Sequence, residues 1–374
     1  MHRPVLAALL AALALALVGA QSALASAPDH PNGRRVVFVQ LNQPGGNEVV
    51  VYDRGRDGTL TQAGTYPTGG LGGTAAGAAS DRLASQGSLA YDARAHVLIA
   101  VNAGSDTVTS FRVEGDRLRL VDVVPSGGQF PASAAIDGGL VYVLNSGGSG
   151  SVAGFRLDHG ALNPIPGSVR SLGLANANPP NFLTSPGQVG FSPDGRQLLV
   201  TTKASTSSID VFAVGPDGLL SAAPVANASA TPVPFAFTFS PFGRLVAGEA
   251  GASSVTTYRL QNDGTLAGPQ SASDGQTALC WIQRVGAFYF VSNTGSNTLS
   301  SFWLAPNGQP VLLNAVAAST PAGPIDLATS DGFLYAETGL AGTVEEYAVQ
   351  ADGSLVSIGS VTGLPAGIEG IAAS

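Results

Sequence analysis

Apolar and polar residues alternate along this chain in short runs of strand-like length, and helical periodicity is almost absent beyond the N-terminal segment. Seven runs share one pattern: EVVVYDR, TVTSFRV, SVAGFRL, SIDVFAV, SVTTYRL, TLSSFWL and TVEEYAV. Their common aromatic position holds Tyr52, Phe111, Phe155, Phe212, Tyr258, Phe302 and Tyr347. These residues recur roughly every 45 residues with two longer intervals, which is typical of an array of small sheets.

Each repeat predicts four strands, with a tight hairpin between the third and the fourth. At that point a polar residue precedes a glycine in every repeat: Asp57-Gly58, Glu114-Gly115, His159-Gly160, Asp217-Gly218, Asp263-Gly264, Asn307-Gly308 and Asp352-Gly353. Glycine adopts the positive φ of such turns, so we interpret the acidic residues as turn formers rather than calcium ligands. Four-stranded units at this period are propeller blades. The sequence therefore predicts an all-β fold, a seven-bladed β-propeller with four antiparallel strands per blade.

The first repeat lacks the inner strand with which the other six begin. It opens on its second strand, RRVVFVQ (residues 34–40), whereas the chain ends in a strand-sized apolar segment, GIEGIAAS (residues 367–374). We expect residues 367–374 to pair beside residues 34–40 and to supply the missing strand. The ring would then be closed without the exposed sheet edges that invite aggregation.

Two insertions interrupt the period of the repeats. They are GGLGGTAAGAASDRLAS (residues 69–85) and RSLGLANANPPNFLTS (residues 170–185), and each connects the outer strand of one blade to the inner strand of the next. In a propeller such connections lie on the mouth side of the central channel. We expect function on this side, because loops held by a rigid scaffold are its usual carriers.

The N-terminal segment, MHRPVLAALLAALALALVGAQSALASAPDH, predicts a signal peptide. Arg3 is basic, residues 5–18 are apolar, and Ala23 and Ala25 form the small-residue pattern of a cleavage site. The apolar run is too short to span a bilayer comfortably. We therefore expect residues 1–25 to be removed, residues 26–374 to form one propeller domain, and the product to be secreted or periplasmic with no membrane span.

Composition excludes several classes of partner. The formal net charge is −8 at pH 7, and there is no basic run or stripe and a single lysine, Lys203, which argues against nucleic acid as a partner. Cys280 is the single cysteine, so the sequence offers no intrachain disulfide. Beyond the signal peptide the histidines, His30, His96 and His159, are widely scattered. We expect a monomer that uses neither a metal ion nor a cofactor.

A polar residue lies at the end of the second strand of every repeat, on the mouth side of the predicted ring. These residues are Asn42, Asn102, Asn145, Thr202, Glu249, Asn293 and Glu337. The asparagines either satisfy local turn amides or bind a ligand. Glu249 and Glu337 either form a solvated rim or have raised pKa values and act as acid or base. Asp326, in the last inner strand, is a further candidate for ligand binding and would need a hydrogen-bond partner.

Three of the repeats resemble blades of the lactonase family of seven-bladed propellers. They are FSPDGRQLLVTTKASTSSIDVFAVGPDGLL, FSPFGRLVAGEAGASSVTTYRLQNDGTL and GGLVYVLNSGGSGSVAGFRL. The family includes bacterial 6-phosphogluconolactonases and fungal carboxymuconate lactonizing enzymes. The resemblance extends over essentially the whole chain after the signal peptide, and it implies chemistry by His, Arg and Glu side chains around the channel mouth.

This sequence departs from the family at several of those positions. Ser185 and Gly187 stand where the family has a His-Pro-His lead into the fourth inner strand. Phe235 and Ala236 replace an Arg-His pair in the fifth blade, and Ser133 replaces a histidine in the third. No cationic residue remains at the matched positions to hold the phosphate of a phosphorylated substrate.

Glu249, in GEAGASSV, matches a glutamate of the family and is the candidate base for opening a lactone, with Gln188, Glu337 and Lys203 as candidate partners. Two functions remain open. One is an exported lactonase or cycloisomerase that acts on an unphosphorylated lactone or organic acid. The other is a catalytically inactive propeller that binds a ligand or a protein at its mouth.

Overall fold

The computed structural model describes residues 35–374, which form strands and turns without any helix. The predicted signal peptide lies outside the described residues. The strands are β1 (Val36–Gln40), β2 (Glu48–Arg54), β3 (Leu60–Pro67), β4 (Leu89–Asp92), β5 (Val97–Asn102), β6 (Thr107–Glu114), β7 (Arg117–Pro125), β8 (Pro131–Asp137), β9 (Leu140–Asn145), β10 (Ser151–Asp158), β11 (Ala161–Pro164), β12 (Arg170–Ser171), β13 (Gln188–Phe191), β14 (Gln197–Thr201), β15 (Ser208–Ala213), β16 (Val225–Ala228), β17 (Pro234–Phe239), β18 (Arg244–Glu249), β19 (Ser254–Leu260), β20 (Leu266–Ser273), β21 (Leu279–Val285), β22 (Phe288–Asn293), β23 (Thr298–Leu304), β24 (Pro310–Ser319), β25 (Pro324–Ser330), β26 (Phe333–Thr338), β27 (Thr343–Val349), β28 (Leu355–Val361) and β29 (Ile371–Ala373).

The strands form seven antiparallel sheets, which are the blades. Blade 1 consists of β29, β1, β2 and β3, blade 2 of β4–β7, blade 3 of β8–β12, and blades 4 to 7 of β13–β16, β17–β20, β21–β24 and β25–β28. The innermost strand of each blade contacts the innermost strands of both neighbouring blades, which closes the ring. The predicted all-β, seven-bladed β-propeller is therefore confirmed.

The two ends of the described chain meet in blade 1. Strand β29 pairs antiparallel with β1, with Val37 opposite Ala373. Beyond this ladder, the Val36 N–H donates to the Ser374 hydroxyl at 2.8 Å, and the Ser374 N–H donates to the Val36 carbonyl at 3.0 Å. The predicted closure by residues 367–374 is confirmed.

Seven apolar clusters fill the space between neighbouring blades, one at each interface. β-Branched and aromatic residues dominate these clusters because the middle strands of each blade are covered on both faces. Each cluster contains one of the seven aromatic residues that define the repeat, and all seven are buried. The aromatic position in the sequence is therefore the anchor of one blade against the next.

The hairpins between third and fourth strands follow the predicted turn chemistry. All seven glycines at these turns have positive φ, and the Asp57 carboxylate accepts the Thr59 N–H at 3.2 Å, so the acidic residues act as turn formers. Blade 3 differs from the others because its outer strand is divided into β11 and β12, both of which pair with β10. Pro164 and Pro166 lie at this break, where proline cannot donate to the sheet ladder.

The two insertions pair with each other on the mouth side of the ring. Ala76 and Asn181 form an isolated parallel bridge. The Ala76 N–H donates to the Pro180 carbonyl at 2.8 Å, and the Phe182 N–H donates to the Ala76 carbonyl at 3.0 Å. The first insertion does not stay above the mouth as a surface loop, because beyond this bridge it enters the ring.

Candidate functional site

Residues 80–88, at the end of the first insertion, cross the interior of the ring and are called the plug below. Five blades hold it, through bonds that join Leu83 to Glu369, Ser85 to Ala132, Gly87 to Ala134, Ala84 to Lys203, Gln86 to Ile282, and Gly87 to Asp326. The insertion is rich in Gly, Ala and Ser, and such small residues let a backbone pass close to the inner strands. Hydrogen bonds to the surrounding blades therefore pair backbone groups of the plug, which occupies part of the channel.

A cavity of about 360 Å³ lies on the mouth side of the plug and is called the mouth cavity below. Its wall is formed by residues 77–81 and Ala84 of the first insertion, Phe182 and Leu183 of the second, and Lys203, Val233, Phe235, Ala250, Gly251, Ala278, Cys280, Trp281 and Thr294. The Phe235 and Trp281 rings pack with their centres 4.8 Å apart. A mainly apolar cavity with few polar groups is typical of a small-molecule site.

The Lys203 ammonium group is buried between the two insertions. Its Nζ donates to the Ala84 carbonyl at 2.5 Å, the Phe182 carbonyl at 2.6 Å and the Ser185 hydroxyl at 2.8 Å. Burial lowers the pKa of Lys203 to about 8, although nearby carboxylates oppose this shift. Because all three N–H groups are used, Lys203 fastens both insertions at the cavity wall and has no spare donor in this arrangement.

Two buried carboxyl groups meet beside the plug: Asp81 in the wall of the mouth cavity and Glu369 shortly before β29. Asp81 Oδ1 accepts the Ala84 N–H at 2.5 Å, and Glu369 Oε1 accepts the Leu83 N–H at 3.2 Å. The carboxyl groups are close enough to hydrogen-bond, which requires that one of them hold a proton.

The surroundings of this pair decide which partner holds the proton. Burial raises the pKa of both groups. The hydrogen bond from Glu369 and the charge of Lys203 then lower the pKa of Asp81, whereas the Asp81 charge raises the pKa of Glu369 further. The pair therefore shares one proton, and the charge of Lys203 favours Asp81 as the ionised partner.

At three positions the family resemblance implies histidine. The residues present there instead help to hold the plug in place. Ser133 Oγ donates to the Gln86 carbonyl at 2.7 Å, and the Gln86 N–H donates to the Gly187 carbonyl at 3.0 Å. Ser185 accepts the lysine N–H described above. A Cβ at Gly187 would approach the Phe235 carbonyl oxygen to 2.3 Å, so a side chain there requires a backbone shift. The plug uses the space that larger side chains would need.

A second cavity, of about 300 Å³, lies inside the ring and is called the axial cavity below. Its wall includes Gln86 and Gly87 of the plug, together with the candidates Gln188 and Asp326. Gln188 Oε1 accepts the Phe237 N–H at 2.6 Å. The structure therefore brings Gln188 and Asp326 together, but in a cavity other than the one that Lys203 lines.

Asp326 has the hydrogen-bond partners that the sequence requires of it. Its carboxyl oxygens accept the Gly87 N–H at 3.2 Å and the Leu327 N–H at 2.8 Å. Burial nevertheless raises the pKa of Asp326 from its ordinary value of 3.8 to about 7. Asp326 therefore titrates near neutrality while it holds the plug.

Glu337 is fully buried inside the ring rather than exposed at the rim. Its Oε2 accepts the Gly370 N–H at 2.9 Å, whereas Oε1 has no hydrogen-bond partner among residues 35–374. Burial raises the pKa of Glu337 well above its usual range, and the charge of Asp326 adds to this effect. Glu337 braces the C-terminal segment and does not line the mouth cavity.

Glu249 is a fully buried acceptor inside blade 5. The hydroxyls of Tyr258, at 2.6 Å, and Ser229 donate to Oε1, and those of Thr231, at 2.5 Å, and Thr256 donate to Oε2. None of these five residues lines the mouth cavity. Four hydroxyl donors thus surround the carboxylate that the sequence offers as a base, and it lines neither the mouth cavity nor the axial cavity.

We expect Glu249→Gln to lower the free energy of unfolding by about 3 kcal/mol, because an amide NH₂ cannot accept two of the four hydroxyl bonds and bonds to a charge contribute about 1.5–3 kcal/mol each. Urea unfolding measures this effect. The matched control is Glu345→Gln, since Glu345 is partly exposed and accepts two hydroxyls, those of Thr343 and Ser360, through Oε1. Equal losses in the two variants would contradict the structural role of Glu249.

The candidate asparagines are buried at or just beyond the ends of the second strands. Asn42 donates to the Gly73 carbonyl and accepts its N–H, and Asn102 bonds to hydroxyls of its own blade. Asn145 and Asn293 also donate within the ring. None of the four lines the mouth cavity or the axial cavity. Their contacts join strands and connections of the ring to one another.

Asp81 and Glu369 are the residues that sequence reasoning missed. Each is the single acidic residue of a segment otherwise rich in Gly, Ala and other small or apolar residues, and that isolation is the signal in the sequence. Among residues 35–374, no group of three or more His, Cys, Asp or Glu side chains is arranged to hold a metal ion. The same residues contain no helix long and apolar enough to cross a membrane.

Comparisons with known proteins agree with this architecture. A family model described as "Lactonase, 7-bladed beta-propeller" matches residues 45–171, and no curated protein matches the chain significantly. A putative 6-phosphogluconolactonase from Bacteroides fragilis has a TM-score of 0.70 at 18% identity, covering 93% of this chain and 100% of its own. The periplasmic gluconolactonase of Pseudomonas aeruginosa has a TM-score of 0.69 at 21% identity, covering 90% and 98%. A protein from Lactobacillus plantarum has a TM-score of 0.70 at 19% identity, covering 91% and 99%.

The fold and these structures together define a seven-bladed β-propeller. A model of the lactonase family of such propellers matches residues 45–171, so the resemblance carried by the repeats is confirmed over that part of the chain. At such low identities the solved structures bear on the fold alone.

Proposed function

We propose that the protein is an exported lactonase-family hydrolase that opens an unphosphorylated lactone, or closes the corresponding organic acid, in the mouth cavity. The observation that carries this proposal is a half-open, mainly apolar cavity with one buried ammonium group and one buried carboxyl group in its wall, those of Lys203 and Asp81. A lactone has an apolar carbon frame and one polar ester group, which suits such a wall. The family match supports the reaction class.

The mouth cavity disfavours a phosphorylated substrate. A phosphate group is normally bound by several Arg or Lys donors. Lys203 is the cation in this wall, and its three N–H groups already bind oxygens of the two insertions. Burying a phosphate without donors would be costly.

Cells that express the full chain provide the test. We expect protein in the medium or periplasm with Ser26 as its N terminus, and we expect it to release acid from uncharged lactones, followed by pH-stat titration. A 6-phosphosugar lactone is the matched control, and its kcat/KM should be much lower. Protein that keeps its N-terminal segment would contradict export, and failure to turn over any lactone would contradict the reaction.

Binding without turnover is the second candidate function. Two occupied groups favour it: Lys203, whose N–H groups are all used, and Glu249, whose oxygens each accept two hydroxyls. Calorimetry with the same lactones and their open acids separates the two functions. Saturable binding with no acid release would establish the second and contradict the first.

A further inference from the structure

We propose that Asp81 and Glu369 form the acid–base pair of the mouth cavity, with the Asp81 carboxylate activating water and the Glu369 carboxyl positioning it as a neutral donor. This inference rests on the proposed function, since it names the residues that would carry out the reaction at that site. It replaces Glu249 as the source of the base.

Asp81 is placed at the boundary between the cavity and the buried interior. It is 8% exposed, and it belongs to the wall of the mouth cavity. Oδ1 accepts the Ala84 N–H, whereas Oδ2 meets no N–H or hydroxyl donor among residues 35–374. The carboxyl of Glu369 is within hydrogen-bonding reach. Oδ2 is buried, and a carboxylate accepts more bonds than these, so Asp81 has capacity for one buried water molecule between the pair and the cavity.

The charges around the pair favour an ionised Asp81. Four titratable groups on other elements interact electrostatically with the Asp81 carboxylate: Lys203 after β14, Cys280 in β21, Asp326 in β25 and Glu337 in β26. Burial holds the Cys280 thiol neutral by raising its pKa to about 12, and it raises the pKa of both other carboxyls. Lys203 is the cation among these groups, and it acts as the counter-ion of Asp81.

The other candidates lack the geometry of a base in this cavity. Glu249 lies in blade 5 away from the cavity, and Glu337 is buried beside the C-terminal segment. Lys203 reaches the wall, but its N–H groups are committed to three oxygens. Asp81 is thus the one carboxyl group among the residues that form the wall.

The reaction balances with water as the second reactant. The Asp81 carboxylate takes a proton from water while the water oxygen bonds to the lactone carbonyl carbon, whose π electrons move onto the carbonyl oxygen. The tetrahedral adduct then re-forms the carbonyl, and the ring C–O bond breaks. The departing ring oxygen takes the proton from Asp81, which regenerates the carboxylate. The product is a hydroxy acid that loses its carboxyl proton to solvent, and Glu369 keeps its own proton throughout.

Asp81→Asn and Glu369→Gln test the two roles against a lactone that the wild type hydrolyses. We expect Asp81→Asn to lower kcat on the order of 10²–10⁴-fold. Glu369→Gln should keep part of the activity and move the acid limb of the kcat/KM profile to higher pH, because an amide N–H is a weaker donor to Asp81 than a carboxyl O–H. A purely structural Glu369 would leave that limb in place.

Asp210→Asn is the matched control. Asp210 is a buried aspartate of β15 that accepts the Ser208 hydroxyl, and it lines neither cavity. We expect its kcat and acid limb to match those of the wild type. Turnover of folded Asp81→Asn within a few-fold of the wild type would overturn the pair while the lactonase function stands. A wild type without lactone turnover would overturn both. If Asp81→Asn fails to fold, an acid limb that is identical in Glu369→Gln and the wild type overturns the pair.

Discussion

Deletion of residues 367–374 is expected to lower the free energy of unfolding by at least about 5 kcal/mol. The segment buries Ile368 and Ile371, and truncating a buried isoleucine typically costs about 2–5 kcal/mol. The deletion also removes the ladder between β29 and β1 and the partners of Glu337 and Ser88. Since domains of this kind are stable by only about 5–15 kcal/mol, the truncated ring should be close to unfolding. Urea unfolding followed by circular dichroism measures the change.

Rescue with a peptide separates a missing strand from a general defect. The synthetic segment GIEGIAAS added to the truncated protein should pair with β1 and raise the free energy of unfolding with the logarithm of its concentration once that exceeds the dissociation constant. A scrambled peptide of the same composition should have no effect. An unfolding midpoint unchanged by the deletion would show that the ring does not depend on this strand.

The free energy of unfolding of the wild type is expected to fall as the pH rises from about 4 to above 7. Asp326→Asn should remove much of this fall. The folded-state pKa of Asp326, about 7, lies above its ordinary value of 3.8, so the folded protein binds this proton more tightly. The resulting stability is fully present below the lower value and is lost as the pH rises through the higher one. At about 1.4 kcal/mol per pKa unit, this pH-dependent loss amounts to about 4 kcal/mol in the wild type. The variant should lack it, although its amide cannot accept both N–H groups and so lowers stability at acid pH.

Asp92→Asn is the matched control for this pH series. Asp92 also accepts two backbone N–H groups, those of Arg94 and Ala95, but it is partly exposed in the second blade. Its substitution should leave the slope of stability against pH unchanged. Parallel curves for the wild type and Asp326→Asn would contradict a protonated Asp326 in the folded state.

The fold could be predicted from the sequence because the physical requirement repeats. Every interface between blades needs one large aromatic residue, and every outer hairpin needs a glycine with positive φ, so both recur at a fixed interval. The closing strand was predictable for the same reason, because the first repeat lacks an inner strand and residues 367–374 could supply it. The divided outer strand of blade 3 follows from Pro164 and Pro166, which fall outside the repeat pattern.

The candidate site was less predictable because it is built from segments that do not repeat. Lys203 does lie in the mouth cavity, but the oxygens that occupy it come from the two insertions, whose path has no periodic signature. Glu249 is surrounded by hydroxyls that come partly from the connection at Ser229 and Thr231. The meeting of Asp81 with Glu369 joins residues nearly 300 positions apart in the sequence, which no local pattern encodes.

The bridge between Ala76 and Asn181 also constrains how such a protein can be altered. Since Lys203 also binds both segments, replacing either one with a segment from another propeller would remove the bonds that its companion makes to it and to the lysine. The two segments and the lysine therefore depend on one another. Any redesign of what this protein recognises would have to replace all three together.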